Sequence, residues 1–212
     1  MILVGQFDSF PTRRVAVALH HYGIAFDRDT SSVFGDADHI RRINPLTRIP
    51  SLILDDGEVL IESAAILDFL DEVVGPELAL VPRAGPLRRK ILQAAALGMG
   101  AGEKAVQIVY EQFFHPAAAL SSAWLDRCFT QLGAALAEME RRCEAPWFCG
   151  NSFSHADISA TCTVGYLRLR VPEAFPPGTC PRLEALAERC EALEVFRAAA
   201  IGANEQMPSK GQ

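Results

Sequence analysis

Ser9 places a hydroxyl where a side chain can act on a ligand. It follows the apolar residues 1–4 and precedes a stretch in which apolar residues recur at helical spacing,. A hydroxyl at the start of a helix caps the first backbone N–H groups, and Pro11 suits the first turn of such a helix. The same position lies beside the positive end of the helix dipole, where a hydroxyl can donate to an anion. The spacing alone favours a helix cap, so a role for Ser9 in ligand binding needs support from other segments of the chain.

Two further segments carry groups suited to a peptide-like ligand. Pro50 opens an apolar run, a place where proline is tolerated because it cannot donate to a sheet ladder,. A cis bond before Pro50 would turn the backbone of Ile49 outward as an edge for an extended ligand, whereas most bonds of this kind are trans. Glu62 and Ser63 precede another helical pattern. They are either a solvated flank and a cap, or a site for an ammonium group and a carboxylate,.

The elements that must position these residues alternate over the first third of the chain. Apolar patterning predicts a helix after Ser9, and further helices and strands elsewhere,. The strands are expected at residues 1–4, 24–29, 51–54 and 58–61, and the other helices at 36–43 and 63–74. The order β-α-β-α-β-β-α predicts an α/β domain with a mixed four-stranded sheet and helices on its faces.

The composition changes after residue 76. Residues 77–86 are rich in proline and glycine and predict a linker,. Nearly every later segment has helical spacing, which predicts an all-helical second domain over residues 87–212. The first domain is accordingly expected at residues 1–76, and residues 207–212 are expected to fray.

Composition bounds the class of protein. The chain has 212 residues, of which 50% are hydrophobic and 22% charged, so a sizeable core is available,. A net charge of −6 and the lack of a basic stripe argue against a nucleic-acid binder,. No signal-peptide pattern is present, and the longest uncharged run, residues 112–125, is too short for a bilayer span,. We expect a cytoplasmic protein with six free cysteines and no metal site,.

Four motifs in order resemble those of the soluble glutathione transferases, across essentially the whole chain. Residues 9–15, SFPTRRV, resemble the family's thiol-activating loop, and residues 44–50, NPLTRIP, resemble its N-P-x-x-x-[VI]-P segment with a cis-proline. Residues 62–66, ESAAI, match its E-S-x-A-I glutamyl site, and residues 154–157, SHAD, resemble its S-x-A-D capping box,. The resemblance implies a thioredoxin-like N-terminal domain, a helical-bundle C-terminal domain and a cis bond at Pro50.

The resemblance also implies a role for individual residues. Ser9 would donate to the glutathione thiol, with Thr12 as the alternative because Phe10 separates Ser9 from Pro11. Neither Cys nor Tyr occurs in this loop, which argues against a redox-thiol or tyrosine-type enzyme. The residues expected to bind glutathione are Phe10, Arg48, Ile49, Pro50, Glu62 and Ser63. Ser154 and Asp157 would form a structural cap.

An electrophile would sit between the two domains. Its pocket is predicted from Phe10 and from one side of the first long C-terminal helix, although such a stripe also suits plain core. The helical candidates are Val106, Tyr110, Phe113 and Phe114.

The function implied by the resemblance is that of a homodimeric detoxification enzyme, a transferase of alkyl or aryl groups. It would conjugate glutathione, its co-substrate, to a small hydrophobic electrophile through a serine hydroxyl. The alternatives are a glutathione-dependent isomerase or lyase, a disulfide reductase, and a non-catalytic stress protein that binds glutathione or a partner.

Overall fold

The computed structural model describes residues 1–205, which form two compact units. Residues 83–191 make one unit, and residues 1–82 make the other together with the segment that begins at Ala192. The fraying predicted for residues 207–212 lies outside the described residues.

The first unit has the predicted element order. Its mixed four-stranded sheet, ordered β2-β1-β3-β4, is confirmed: β1 and β2 are parallel, and the β1–β3 and β3–β4 pairs are antiparallel. The elements are β1 (Ile2–Val4), α1 (Phe10–His21), β2 (Asp27–Asp29), α2 (Ala37–Ile43), β3 (Ser51–Ile53), β4 (Val59–Ile61) and α3 (Ser63–Val74).

The strand register brings three loops to one end of the sheet. Val4, the last residue of β1, pairs with Ser51 at the start of β3. Ser51 in turn pairs with Ile61 at the end of β4. The loop after β1, the segment before β3 and the turn after β4 therefore leave the sheet from three adjacent positions. These are the segments that carry the chemistry predicted from the sequence.

Tyr22 ties α1 to the rest of the first unit. Its hydroxyl donates to the Asp71 carboxylate on α3 and accepts the backbone N–H of Leu80 at 3.0 Å. Burial, together with the hydrogen bond to Asp71, raises the pKa of Tyr22 well above its ordinary value,. Tyr22 is thus a neutral structural tie at the far end of α1.

The second unit is helical, as predicted. It consists of α4 (Pro86–Phe114), α5 (Ser122–Arg142), α6 (His155–Arg170) and α7 (Pro181–Glu191), with short 3₁₀ turns. The central helix α6 is buried along most of its length and packs against α4 and α7. Ser154 and Asp157 form a reciprocal capping box at its start,. Within residues 1–205, no helix combines the length and apolar character needed to cross a membrane.

The last described helix, α8 (Glu194–Ala198), belongs to the first unit and not to the helical one. Its assignment differs from the predicted helical domain of residues 87–212. The physical reason is its packing on α1, where the Arg13 Nε donates to the Ala199 carbonyl at 2.9 Å and the guanidinium lies over the Phe196 ring at 5.7 Å,. No local sequence pattern indicates this return of the chain.

Candidate functional site

Ser9 occupies the cap position of α1 without capping it. Its backbone is extended, with φ −75° and ψ 111°, and its side chain accepts no hydrogen bond from the first turn. The Ser9 N–H donates to the Gln6 carbonyl at 3.3 Å, while the Ser9 carbonyl accepts from Arg13 at 2.9 Å. The half-buried hydroxyl takes no hydrogen-bond partner among residues 1–205. It therefore keeps its full capacity to donate to a ligand.

Thr12 is in a different environment. Its side chain is 0% exposed, and the Oγ1 atom has no hydrogen-bond partner among the described residues. This hydroxyl faces the Gly5 backbone, since a β-carbon built at position 5 would lie 2.8 Å from Thr12 Oγ1. Phe10, also predicted to touch ligands, is 2% exposed. Of the two candidate hydroxyls, only that of Ser9 is open to solvent.

The loop that carries Ser9 is held by distant residues. Gly5 donates to the Asp29 carbonyl at 2.8 Å, and Phe7 donates its N–H to the Glu205 carboxylate at 2.7 Å. Glu205 also accepts from the Arg28 guanidinium at 2.7 Å. Neither Arg28 nor Glu205 was predicted from the sequence. No spacing rule connects a carboxylate at position 205 with a loop at position 7.

Asp29 supports the same loop through its backbone and anchors α2 through its side chain. The carboxylate accepts from Ser31 and lies 2.7 Å from the Nε2 atom of His39. Burial acts to raise the pKa of Asp29, but the hydrogen bonds from Ser31 and His39 outweigh it and hold the pKa below its ordinary value,. Asp29 therefore remains an ionised acceptor at neutral pH.

The segment before β3 presents a free peptide edge. The Ile49–Pro50 bond is cis, which confirms the expectation drawn from the family resemblance. The Asn44 side chain, buried at 1% exposure, donates to the Arg48 carbonyl at 2.9 Å and fixes the approach to this bond. The N–H and carbonyl groups of Ile49 make no hydrogen bond within the described part of the chain. They are available to an extended ligand.

The turn after β4 offers a second set of unpaired groups. Glu62 has a positive φ of 65°, rare for a residue with a side chain, and α3 begins at the next residue,. The Ser63 hydroxyl does not cap the helix, and like the first-turn N–H groups it has no hydrogen-bond partner among residues 1–205. Arg48 Nη1 lies 3.7 Å from Glu62 Oε1, which joins the two segments across the sheet end. Such a turn can hold a carboxylate on the helix and an ammonium group on Glu62.

The C-terminal end of α4 carries an exposed aromatic cluster within the second unit. Tyr110 is 39% exposed and Phe114 is 60% exposed, and their rings meet edge to face at 5.5 Å,. Phe113 packs edge to face on Phe114 at 5.1 Å, and like Val106 it is half-buried. These side chains are not plain core, and they can contact an apolar ligand.

The cysteines lie away from the three segments in the chain, between residues 128 and 190, and all six are buried. Burial raises the pKa of Cys143 and of Cys190 to about 12, and that of Cys149 to about 11,. A thiol with such a pKa is protonated at neutral pH. The loop around Ser9, residues 5–15, contains no cysteine.

Two family models match this chain. The model of the glutathione S-transferase N-terminal domain covers residues 11–73, and that of the glutathione S-transferase C-terminal domain covers residues 122–189. The probable maleylacetoacetate isomerase 1 of Drosophila melanogaster is 30% identical over 206 residues, which span 93% of this chain and 80% of that relative.

Solved structures are similar over nearly the whole chain. A glutathione S-transferase of Methylobacterium radiotolerans, in complex with glutathione sulfonate, has a TM-score of 0.90 and 29% identity, covering 98% of this chain and 97% of its own. A glutathione transferase family member of Pseudomonas fluorescens Pf-5, with bound glutathione, has a TM-score of 0.84 and 32% identity, covering 95% and 98%.

Proposed function

The chain belongs to the glutathione S-transferase family, and we propose that it is a glutathione transferase in which the Ser9 hydroxyl stabilises the glutathione thiolate. The observation that carries this proposal is the uncapped Ser9: its hydroxyl stands at the N-terminus of α1, is open to solvent and has no hydrogen-bond partner within residues 1–205. The complete burial of Thr12 supports Ser9 over Thr12 in this role.

The energetics suit such a role. An ordinary thiol has a pKa of about 8.5, so only a few per cent is thiolate at neutral pH. A hydrogen bond to a charged group is worth about 1.5–3 kcal/mol, and one pKa unit corresponds to about 1.4 kcal/mol. The Ser9 donor and the dipole of α1 together would lower the thiol pKa by about 1–2 units. Ser9 then stabilises the nucleophile and does not itself attack.

Glutathione would bind along the sheet end. The free edge of Ile49, beside cis Pro50, pairs with the backbone of the tripeptide,. Glu62 takes the α-ammonium group, while the Ser63 hydroxyl and the start of α3 take the adjacent carboxylate,. Arg48 adds a cation beside Glu62. The relatives from Methylobacterium and Pseudomonas, crystallised with glutathione sulfonate and with glutathione, support this class of ligand.

The second substrate would be a small hydrophobic electrophile in contact with the aromatic cluster of α4. The sulfur forms a bond to the electrophilic carbon, and either a leaving group departs with the bonding pair or a proton adds to the neighbouring carbon. The exposed rings of Tyr110 and Phe114 support an apolar substrate,. Replacing Phe114 with Ala should raise KM for the electrophile and leave glutathione affinity unchanged.

The test of the Ser9 proposal is spectroscopic. The thiolate absorbance of bound glutathione is titrated against pH in the wild type and in Ser9→Ala. We expect the pKa of the bound thiol to rise by about 1–2 units in the variant, towards the free value. The rate at neutral pH should fall about 10–100-fold with glutathione affinity kept. An unchanged titration would overturn the role of Ser9.

A glutathione-dependent isomerase is the second candidate. It is favoured by the Drosophila relative, whose name is that of a probable maleylacetoacetate isomerase. In this reaction the sulfur would add to a carbon–carbon double bond, the bond would rotate, and the sulfur would leave again. An isomerase turns over its unsaturated acid without consuming glutathione, whereas a transferase consumes one glutathione per product.

Retention on glutathione resin with neither activity would indicate a non-catalytic binder, and reduction of a small disulfide would indicate a reductase.

We also propose that the protein is a homodimer, from its family and from an exposed stripe of residues on α4. Within the second unit, α4 exposes Leu92, Ala96 and Gly100 at a spacing of four residues, so successive turns present a small or apolar residue to solvent,. Leu92 is 43% exposed in the single chain. Sedimentation should give twice the chain mass for the wild type, and Leu92→Glu should shift the protein towards the monomer.

A further inference from the structure

Glu205 is a buried carboxylate that holds the Ser9 loop from the far end of the chain. It is 7% exposed, and its Oε2 atom accepts the N–H of Phe7 at 2.7 Å. The N–H of Phe7 lies two residues before Ser9 in the connection between β1 and α1. This bond supplies the partner that a buried backbone donor requires.

The charge of Glu205 is compensated on the same face. Arg28 of β2 donates to Glu205 Oε2 at 2.7 Å, and its guanidinium lies 3.5 Å from the centre of the Phe7 ring,. A buried carboxylate is stable only where such partners are present. Phe7 is therefore fixed twice, by its backbone to Glu205 and by its ring to Arg28.

The segment that carries Glu205 is anchored a second time on α1. Arg13 donates from Nε to the Ala199 carbonyl at 2.9 Å and lies over the ring of Phe196. Phe7 and Arg13 stand on either side of Ser9 in the sequence. Residues 196–205 thus bind the chain before and after Ser9 and limit how the loop can move.

We propose that Glu205 is a positioning residue for the Ser9 hydroxyl. By fixing the N–H of Phe7 it keeps residues 5–9 in the conformation in which Ser9 donates to the thiol. This inference rests on the proposed function, because Glu205 acts through Ser9 and touches no substrate. Glu205 is not among the residues proposed to bind glutathione, so its replacement should change the thiol pKa and kcat much more than KM for glutathione.

Three substitutions at position 205 test the bond to Phe7. Glu205→Ala removes the acceptor, and Glu205→Asp keeps the charge for Arg28 but withdraws the oxygen by one methylene group. Both should raise the pKa of bound glutathione thiol by about 0.5–1 unit and lower kcat about tenfold. KM for glutathione should stay within about twofold. Glu205→Gln keeps an oxygen that accepts from Phe7, and should restore the wild-type thiol pKa.

The control is Glu194→Ala, which removes an exposed carboxylate from the same C-terminal segment and should leave the thiol pKa and kcat unchanged. In the double variant Ser9→Ala/Glu205→Ala, loss of Glu205 should add no further shift, since the two residues act as one unit.

The outcomes separate this inference from the proposed function. If Ser9→Ala leaves the thiol pKa unchanged, the role of Ser9 is wrong. If Ser9→Ala shifts the pKa and neither Glu205→Ala nor Glu205→Asp does, the positioning role alone is wrong. The positioning role is also wrong if Glu205→Gln behaves like Glu205→Asp. Should Glu205→Ala fail to fold, the comparison of the Asp and Gln variants decides alone.

Discussion

The backbone of Gly5 lies against the side chain of Ile49: a β-carbon built at position 5 would come within 2.8 Å of the Ile49 Cβ atom. Gly5 has φ +126°, a conformation that side chains strongly disfavour,. This contact joins the loop of Ser9 to the edge beside cis Pro50. The close approach of these two segments of the candidate site, more than 40 positions apart in the sequence, therefore depends on glycine at position 5.

Replacing Gly5 with Ala should destabilise the first unit. The positive φ costs about 1–3 kcal/mol for a residue with a side chain, and the overlap with Ile49 and Thr12 adds about 1–3 kcal/mol. We expect the free energy of unfolding in urea to fall by about 2–6 kcal/mol. Glutathione affinity should fall with it, because Ile49 must move to admit the new methyl group.

Gly57→Ala is the matched control. Gly57 also has a positive φ, of +92°, but a β-carbon there would meet no atom within 4 Å. Gly57→Ala should lower the free energy of unfolding by about 1 kcal/mol, from backbone conformation alone. Equal losses at the two positions would show that the contact between Gly5 and Ile49 carries no energetic weight.

The Thr12 hydroxyl is expected neither to stabilise the fold nor to act on the glutathione thiol. Thr12 Oγ1 is buried without a hydrogen-bond partner in the described part of the chain, so Thr12→Val should raise the free energy of unfolding by about 0.5–2 kcal/mol,. The pKa of the bound glutathione thiol should not change. Thr163→Val provides the contrast, because this equally buried hydroxyl donates to the Gly98 carbonyl at 3.0 Å. Thr163→Val should lower the free energy of unfolding by about 1–2 kcal/mol. A rise in the thiol pKa in Thr12→Val would return Thr12 to consideration as the activating hydroxyl.

The sequence was sufficient for the order of elements and for the three segments at the sheet end, because periodicity and turn residues are local. The cis bond at Pro50 needed the family resemblance, since the dipeptide itself favours trans,. The sequence does not predict that Ser9 is half-buried while Thr12 is fully buried, because exposure is a tertiary property and the two hydroxyls share one turn. Glu205 and α8 were missed for the same reason: their contacts span nearly the whole chain.

Glu62 should show a conflict between stability and binding. Its φ of 65° favours glycine, so Glu62→Gly should relieve about 1–3 kcal/mol of backbone strain,. The flexibility of glycine in the unfolded chain offsets about 0.5–1 kcal/mol, which leaves a net gain of about 1 kcal/mol. Loss of the carboxylate should weaken glutathione binding about 10–100-fold, measured by calorimetry. Glu62→Ala should lose affinity equally without gaining stability. A Glu62→Gly variant that binds normally would exclude Glu62 from the ammonium site.

The cysteines should be inert in the folded protein. All six are buried, and burial raises the pKa of Cys143 to about 12, so the reactive thiolate is scarce even at mildly alkaline pH,. A thiol reagent should label the native wild type slowly and all six sites rapidly in denaturant. Ser9→Cys is the positive control. Its half-exposed thiol at the start of α1 should have a lowered pKa and react at once with one equivalent,. Slow labelling of Ser9→Cys would mean that position 9 is closed to ligands.

Asp157 should be the costliest polar residue to remove from the second unit. Its side chain is 0% exposed and accepts from the N–H of Phe148 at 2.7 Å, and from the N–H and hydroxyl of Ser154, each at 2.8 Å. Asp157→Ala leaves these buried donors unpaired, and we expect a loss of about 3 kcal/mol in urea unfolding. Asp126→Ala, an exposed position on α5, should stay within about 0.5 kcal/mol of wild type,. Asp157→Asn should fall between the two, because an amide offers one acceptor and turns its donors towards Ser154. A loss below about 1 kcal/mol in Asp157→Ala would mean that packing along α6, and not its capping box, fixes the start of that helix.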